Sequence, residues 1–271
     1  MSAPMHSCTG GLVGIATNAL TIADSSVEQE STVTGTSHVG GLLGYSINNE
    51  TTLTRDKVLN TTITNNGTDA NSTIMGRNVS CTGGAISIVH DNIKLNDITI
   101  KDTTITNTQS NGHIGGVVGV STGSISNITM SNVNVSGNGI AGGVGAIIED
   151  KANTSLSADA RKNVISDLTL DTVNVTSKKN HAGGIAGVFN ASEVKNATVK
   201  NSTIKTLAGT FTLGEELLPT CVGAIFGVGK TGVIITAPTV QNNTLTGATG
   251  SIVGKYVGAP TDQNDALVAA E

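Results

Sequence analysis

Large side chains are what this sequence lacks. Tryptophan is absent, tyrosine occurs twice and phenylalanine three times in 271 residues, so aromatics reach only 2%. A compact globule fills its centre with aromatic and leucine-rich side chains, and this chain has too few of them. Charge is scarce too: Asp, Glu, Lys and Arg make up 13%, about half the usual share. With 15 basic residues and a net charge of -5, there is no electrostatic footprint for nucleic acid. Four prolines exclude collagen. Three widely separated cysteines do not form a disulfide framework. No apolar run reaches the ~18 residues of a bilayer span, so membrane insertion is not expected. The opening MSAPMHSCTGG lacks a basic-then-apolar leader, and the closing TDQNDALVAAE lacks a lipidation or wall-anchor pattern. The chain is therefore expected either to stay inside the cell or to be a fragment or mature form.

Small and β-branched residues are what the chain has. Glycine occurs 34 times, and the 37% of hydrophobic residues are mostly Val, Ile and Ala, which argues against disorder. One string recurs eight times, as GGLVGIA (10–16), GGLLGYS (40–46), GGAISIV (83–89), GGVVGVS (115–121), GGVGAII (142–148), GGIAGVF (183–189), GAIFGVG (223–229) and GSIVGKY (250–256). A second pattern follows the first seven, clearest as ITIKDTTITNT (98–108), ITMSNVNVSGN (128–138) and LTLDTVNVTSK (168–178). Repeats therefore start near 10, 40, 83, 115, 142, 183, 223 and 250, at intervals of 27 to 43 residues. The longer intervals hold insertions near 66–78, 150–162 and 208–220, the second with a short helix expected around 155–162. Recurring insertions of this kind are loops on the edge of a stacked repeat.

Within a repeat the period is two. In ITIKDTTIT, Ile98 and Ile100 share a side, Asp102 interrupts, and Ile105 faces in again between Thr104 and Thr106. The expected fold is all-β: a parallel β-solenoid (β-helix) of about eight coils with three short strands per coil and a triangular section. At the usual inter-strand spacing of ~4.8 Å, the rod would be roughly 35–40 Å long. One solenoid domain is expected over 1–256, with 257–271 a tail or partial cap.

In such a stack the useful unit is a column of equivalent residues. The turn between the second and third strands gives Asn60, Asp102, Asn132, Thr172, Asn201 and Asn242, read as an internal amide ladder that steadies the corners. Calcium would want several carboxylates in one loop, and only Asp102 is acidic. The third strand gives a candidate binding face: Thr32, Thr34, Thr62, Thr64, Thr104, Thr106, Asn134, Ser136, Asn174, Thr176, Thr203, Thr244 and Thr246. Flat Thr arrays of this kind are similar to those of ice-binding proteins, although Asn134, Asn174 and Lys205 interrupt the array. A third column runs Cys8, His38, Cys81, His113, Ile140, His181, Cys221 and Ala248. Ligands spread over successive rungs lie too far apart for one tetrahedral metal, so the column reads as a packed corner with no metal, cofactor or nucleophile.

The Gly-Gly strand is apolar in both alternating sets. A half-exposed strand should alternate with polar residues, so one set is expected to face outward beneath a cover. That candidate docking face is Leu12, Leu42, Val117, Val144, Ile185, Ile225 and Ile252. Its cover would be an insertion, a neighbouring domain or another copy of the chain. The chain also holds 13 Asn-X-Ser/Thr triplets, several of which coincide with the turn-then-strand pattern itself. No column of carboxylates and no phosphate loop is present, so no catalytic residue is expected.

The strings GGLVG, GGLLG, GGVVG and GGIAG resemble the GLUG repeat, over about residues 8 to 254. GLUG repeats occur in large microbial surface proteins, including regions outside the catalytic domain of immunoglobulin-A-cleaving metallopeptidases. The resemblance implies a noncatalytic extracellular or cell-surface repeat, with no HExxH string here to carry the peptidase activity. The expected function is an adhesion module or structural spacer that meets a protein or glycan surface ligand, or another copy of itself. The alternatives are ice binding through the Thr face and a carbohydrate-binding or polysaccharide-degrading β-helix.

Overall fold

A computed structural model describes residues 7–47, 50–67, 73–74, 77–78, 80–151, 153–213, 216–230, 232–249 and 252–257. The chain is nearly all β and winds as a parallel solenoid. Each coil passes through three sheets in turn. The first sheet stacks eight three- or two-residue strands, from Cys8–Gly10 to Ala248–Thr249. The second stacks eight strands that follow the Gly-Gly pairs, from Val13–Ala16 to Val253–Val257. The third holds the long strands Ile93–Asn107, Ser124–Gly137 and Val164–Ser177 and their shorter equivalents. Every rung-to-rung pairing in these sheets is parallel and in register: Ile98 pairs with Ile128, Thr104 with Asn134, and Ile128 with Leu168.

The long strands are not straight. Each bends twice, at residues with left-handed backbone. One column of bends is Asn60, Asp102, Asn132, Thr172, Asn201 and Asn242, with φ between 47° and 58°. The other lies five residues earlier, at Arg55, Asp97, Asn127, Asp167, Asn196 and Ala237, with Asp24 in the first coil. Asn and Asp tolerate this conformation better than other non-glycine residues, which explains their dominance. Each coil thus contributes to three stacked sheets, and its two bends divide the third-sheet stretch into three straight segments. The bends turn the chain without breaking the hydrogen-bond ladder, and the three-residue first-sheet strand is too short to show a sequence period.

The core is filled by inward columns of Ile, Val and Leu. Ile98, Ile100, Ile105, Ile128, Val135, Leu168 and Leu170 are all fully or almost fully buried. Each such side chain contributes about 1.5–3 kcal/mol relative to exposure. Two of the three phenylalanines, Phe189 and Phe226, stack in this core with ring centroids 4.1 Å apart. The insertions sit outside it. One carries the single-turn helix Ala158–Arg161, capped by the Ser157 hydroxyl, which accepts from the Ala160 amide at 3.2 Å. The others carry antiparallel pairings of Thr73–Ile74 with Arg77–Asn78 and of Thr210–Leu213 with Glu216–Pro219.

The Gly-Gly corner overturns one expectation. Leu42, Val117, Val144, Ile185 and Ile225 are fully buried, Ile252 nearly so, and all six belong to the core; Leu12 alone of that set is exposed. They therefore form no docking face. The following residues Leu43, Ile86, Val118 and Phe226 are buried in the same core. Two consecutive residues face inward because the chain turns sharply at the glycine pair, so strict alternation does not apply there. A Cβ on Gly40 would collide with the Leu43 carbonyl, and one on Gly41 with the Gly84 carbonyl of the next rung. Only glycine permits both approaches.

Candidate functional site

The expected hydroxyl panel is present as two straight columns. Thr32, Thr62, Thr104, Asn134 and Asn174 are in register, as are Thr34, Thr64, Thr106, Ser136, Thr176 and Lys205. Thr203 and Thr244 pair with each other, and Lys205 pairs with Thr246. All of these residues are exposed or half-buried, while the residues between the columns (Val33, Ile63, Ile105, Val135, Val175 and Ile204) are buried in the core. Alternation across a pleated strand therefore sets the panel. Asn174 Nδ2 donates to Asn134 Oδ1 at 3.0 Å, so the two amides that interrupt the Thr array are tied to each other. On the adjoining segment Thr99, Thr129, Thr169, Thr198 and Thr239 make another in-register column.

Both bend columns carry polar ladders, but on the outside. Asn132 Nδ2 donates to Asp102 Oδ1 at 2.7 Å, Asn201 Nδ2 to Asp171 Oδ1 at 2.8 Å, and Asn196 Nδ2 to Asp167 Oδ1 at 2.9 Å. Hydrogen bonds from Asn196 and Ser166 hold the Asp167 carboxyl below the ordinary range, and those from Asn201 and Lys200 do the same for Asp171. The internal amides are other residues. Asn65 and Asn107 end the third segments of two adjacent rungs and are fully buried. Asn65 Nδ2 donates to the Ser37 carbonyl at 2.7 Å and to Ser80 Oγ at 2.8 Å, and Asn107 Nδ2 to Thr82 Oγ1 at 3.0 Å. Gln109 Nε2 bridges to Asn65 Oδ1 at 3.1 Å. The sequence signal for them was the matched Asn closing ITN in both repeats.

The Cys/His column is in register from Cys8 through His38 and Cys81 to His113. It faces away from the main core, into the angle between the first and second sheets. There Cys81 packs with Ile88, Val120, Ala146 and Ile147, and with the partly buried Tyr45, Ile140 and Val188, in a second apolar cluster. So the outward side of the second sheet is covered by the preceding strand of the chain itself. His38 lies with its ring centroid 5.7 Å from that of Tyr45, whose hydroxyl is 3.0 Å from His90 Nε2. His181 Nδ1 accepts from the Cys221 amide at 3.0 Å, and burial pushes its pKa down to about 4. Burial also raises the Cys8 thiol to about 11, far from a reactive thiolate. None of the three cysteines is in a disulfide, and among the described residues no group of three or more His, Cys, Asp or Glu is arranged to hold a metal ion.

Comparison with protein-family models, with curated proteins and with solved structures gave no match. Among the described residues no helix is long and apolar enough to cross a membrane.

Proposed function

We propose that this chain is a noncatalytic repeat rod of an extracellular or cell-surface protein, acting as an adhesion module or structural spacer. The observation that carries this reading is the pair of in-register polar columns running from Thr32 and Thr34 to Thr244 and Thr246 on one straight segment of seven successive coils. Such a panel offers hydroxyl and amide groups at a repeat of ~4.8 Å along the rod. It sits on a continuously hydrogen-bonded backbone that loses little freedom on docking. That suits a protein or glycan surface with its own repeat. The likeness of GGLVG, GGLLG, GGVVG and GGIAG to GLUG repeats of microbial surface proteins supports the same reading. The test is capture of immobilised glycans and cell-surface preparations by the chain, compared with a variant carrying Thr62→Lys, Thr104→Lys and Asn134→Lys. Capture by the original and its loss in the folded variant support an adhesion role. Equal capture by both removes the panel from the account.

One observation favours ice binding as a second reading. In the first three coils the two columns are unbroken Thr, at Thr32 and Thr34, Thr62 and Thr64, and Thr104 and Thr106. A thermal-hysteresis measurement separates the two readings: no activity at high protein concentration ends the ice reading and leaves adhesion untouched.

A further inference from the structure

We propose that Asn66 is a site of spontaneous covalent modification, in which its side-chain amide is lost as ammonia and a carboxylate takes its place at the edge of the hydroxyl panel. The sequence holds three Asn-Gly pairs, Asn66–Gly67, Asn111–Gly112 and Asn138–Gly139. They fall on three successive coils, at the corner where the third sheet passes to the first, after the strands Thr62–Asn65, Ile93–Asn107 and Ser124–Gly137. In each pair the main-chain nitrogen of the glycine can attack the Asn Cγ. The new C–N bond closes a cyclic imide, the glycine N–H proton passes to solvent, and the side-chain nitrogen leaves as ammonia. Water then opens the ring at either carbonyl, giving aspartate or isoaspartate. Water is the only co-reactant. Glycine favours the step because no Cβ crowds the approaching nitrogen.

The step needs two groups free at once: the carboxamide must turn toward the glycine, and the glycine N–H must have no acceptor to hold it. The fold withholds this from two of the pairs. Asn138 Nδ2 donates to the Thr108 carbonyl at 2.6 Å, and the Gly139 amide donates to the Gly112 carbonyl at 3.0 Å. Both reacting groups are therefore held. At Asn111 the side chain is exposed, but the Gly112 amide donates to the Gln109 carbonyl at 3.1 Å, and Gly112 is buried against the Asn107 side chain. One reacting group is held there.

At Asn66 neither group is held. Its own amide donates to the Gly35 carbonyl at 3.1 Å, which carries the rung-to-rung ladder one residue past Asn65 and leaves the Asn66 side chain exposed. Among the described residues, the Asn66 carboxamide and the Gly67 amide have no hydrogen-bond partner. Another residue could not follow Asn66, because a Cβ on Gly67 would collide with the carbonyl and Cβ of Thr36 in the coil before. Packing thus imposes the glycine, and the missing acceptor leaves its nitrogen reactive. The product matters because of where it stands. Thr62 and Thr64 lead to Asn66 along one strand, and the panel columns from Thr32 to Thr246 hold no Asp or Glu. Conversion of Asn66 puts a negative charge at the rim of that acid-free face. The isoaspartate branch also adds a methylene to the main chain, one residue beyond the buried Asn65 and its bonds to Ser37 and Ser80.

The experiment is incubation of the full folded chain in mildly alkaline buffer. Digested samples are followed at the three pairs by tandem mass spectrometry and by methyl transfer from an isoaspartate-specific methyltransferase. Asn66 should convert first, Asn111 later, and Asn138 at least about tenfold more slowly than Asn66. The same chain held unfolded in guanidinium chloride keeps none of these hydrogen bonds, and there the three rates should draw level. Asn66→Gln, which would have to close a larger ring, should remove the early signal and leave the circular dichroism unchanged. An unconverted Asn66 in the folded chain while the unfolded sample reacts overturns the proposal. So does Asn111 or Asn138 keeping pace with Asn66 in the folded protein. If Asn66→Gln fails to fold, the comparison of folded with unfolded wild type decides alone. The readout does not depend on what the panel binds, so the adhesion reading stands or falls separately.

Discussion

Gly119 stands against Cys81: a Cβ placed on Gly119 would lie 2.8 Å from Cys81 Cβ and 3.0 Å from the Thr82 amide nitrogen. The third glycine of GGVVG therefore lets the first sheet lie down on the outside of the second and close the small cluster around Ile88 and Val120. Gly119→Ala should destabilise the fold by about 2–3 kcal/mol, since backbone lies on two sides and cannot withdraw easily. Gly209→Ala is the control, because nothing lies within 4 Å of its Cβ position; its effect should stay within about 0.5 kcal/mol. Urea denaturation of both variants measures the difference, and equal midpoints would refute the role assigned to the glycine.

Thr172 is the one β-branched residue in its bend column, held at φ 58° among Asn and Asp neighbours. A β-branched residue is strained there by roughly 1–2 kcal/mol. Thr172→Asn should relieve that strain and extend the corner ladder, stabilising the protein by about 1 kcal/mol. A thermal midpoint that fails to rise counts against the ladder as a stabilising device.

His181 sets an acid limit on the last third of the rod. Its folded pKa of about 4 lies below the ordinary 6.5 because burial disfavours the imidazolium. Between those values the unfolded chain binds the extra proton, so stability is complete above pH 6.5 and falls as pH drops toward 4. The loss is at most roughly 3 kcal/mol. His181→Asn retains an acceptor for the Cys221 amide and should flatten the decline. Denaturation midpoints between pH 4 and 7, wild type against variant, give the comparison.

Asp56 runs the other way. Its side chain is fully buried; Oδ1 accepts from the Ser25 amide at 2.9 Å and Oδ2 has no hydrogen-bond partner. Burial raises its pKa, against the pull of the Ser25 and Thr54 amides. A raised folded value makes the ionised form costly, so this residue weakens the fold at neutral pH and less so as pH falls through the folded value. Asp56→Asn should therefore raise stability at pH 7 and lose that advantage in acid. Hydrogen exchange of the first coil, which Asp56 anchors through Ser25, would report it; faster exchange at pH 7 is the opposing result.

Much of the rod was legible because parallel stacking repeats one residue environment many times. Repetition exposed the panel at Thr104 and Asn134 and the bend column at Asp102 and Asn132. The earlier bends at Asp97 and Asn127 were equally periodic, five residues upstream, but they sit where no change of apolar pattern marks them. The Gly-Gly corner was misread for a different reason. Leu42 and Leu43 look like opposite faces of a strand, and only the sharp turn in space makes both of them core.

The amino-acid order by itself determined that coils stack in parallel, where each repeat begins, and which residues rise above one another, because identical rungs bury identical side chains only in register. The folding of the first sheet against the second was decided by tertiary structure alone. That contact depends on the angle between two sheets, which glycine permits but no one-dimensional pattern specifies, and it turned an apparent exposed apolar face into interior.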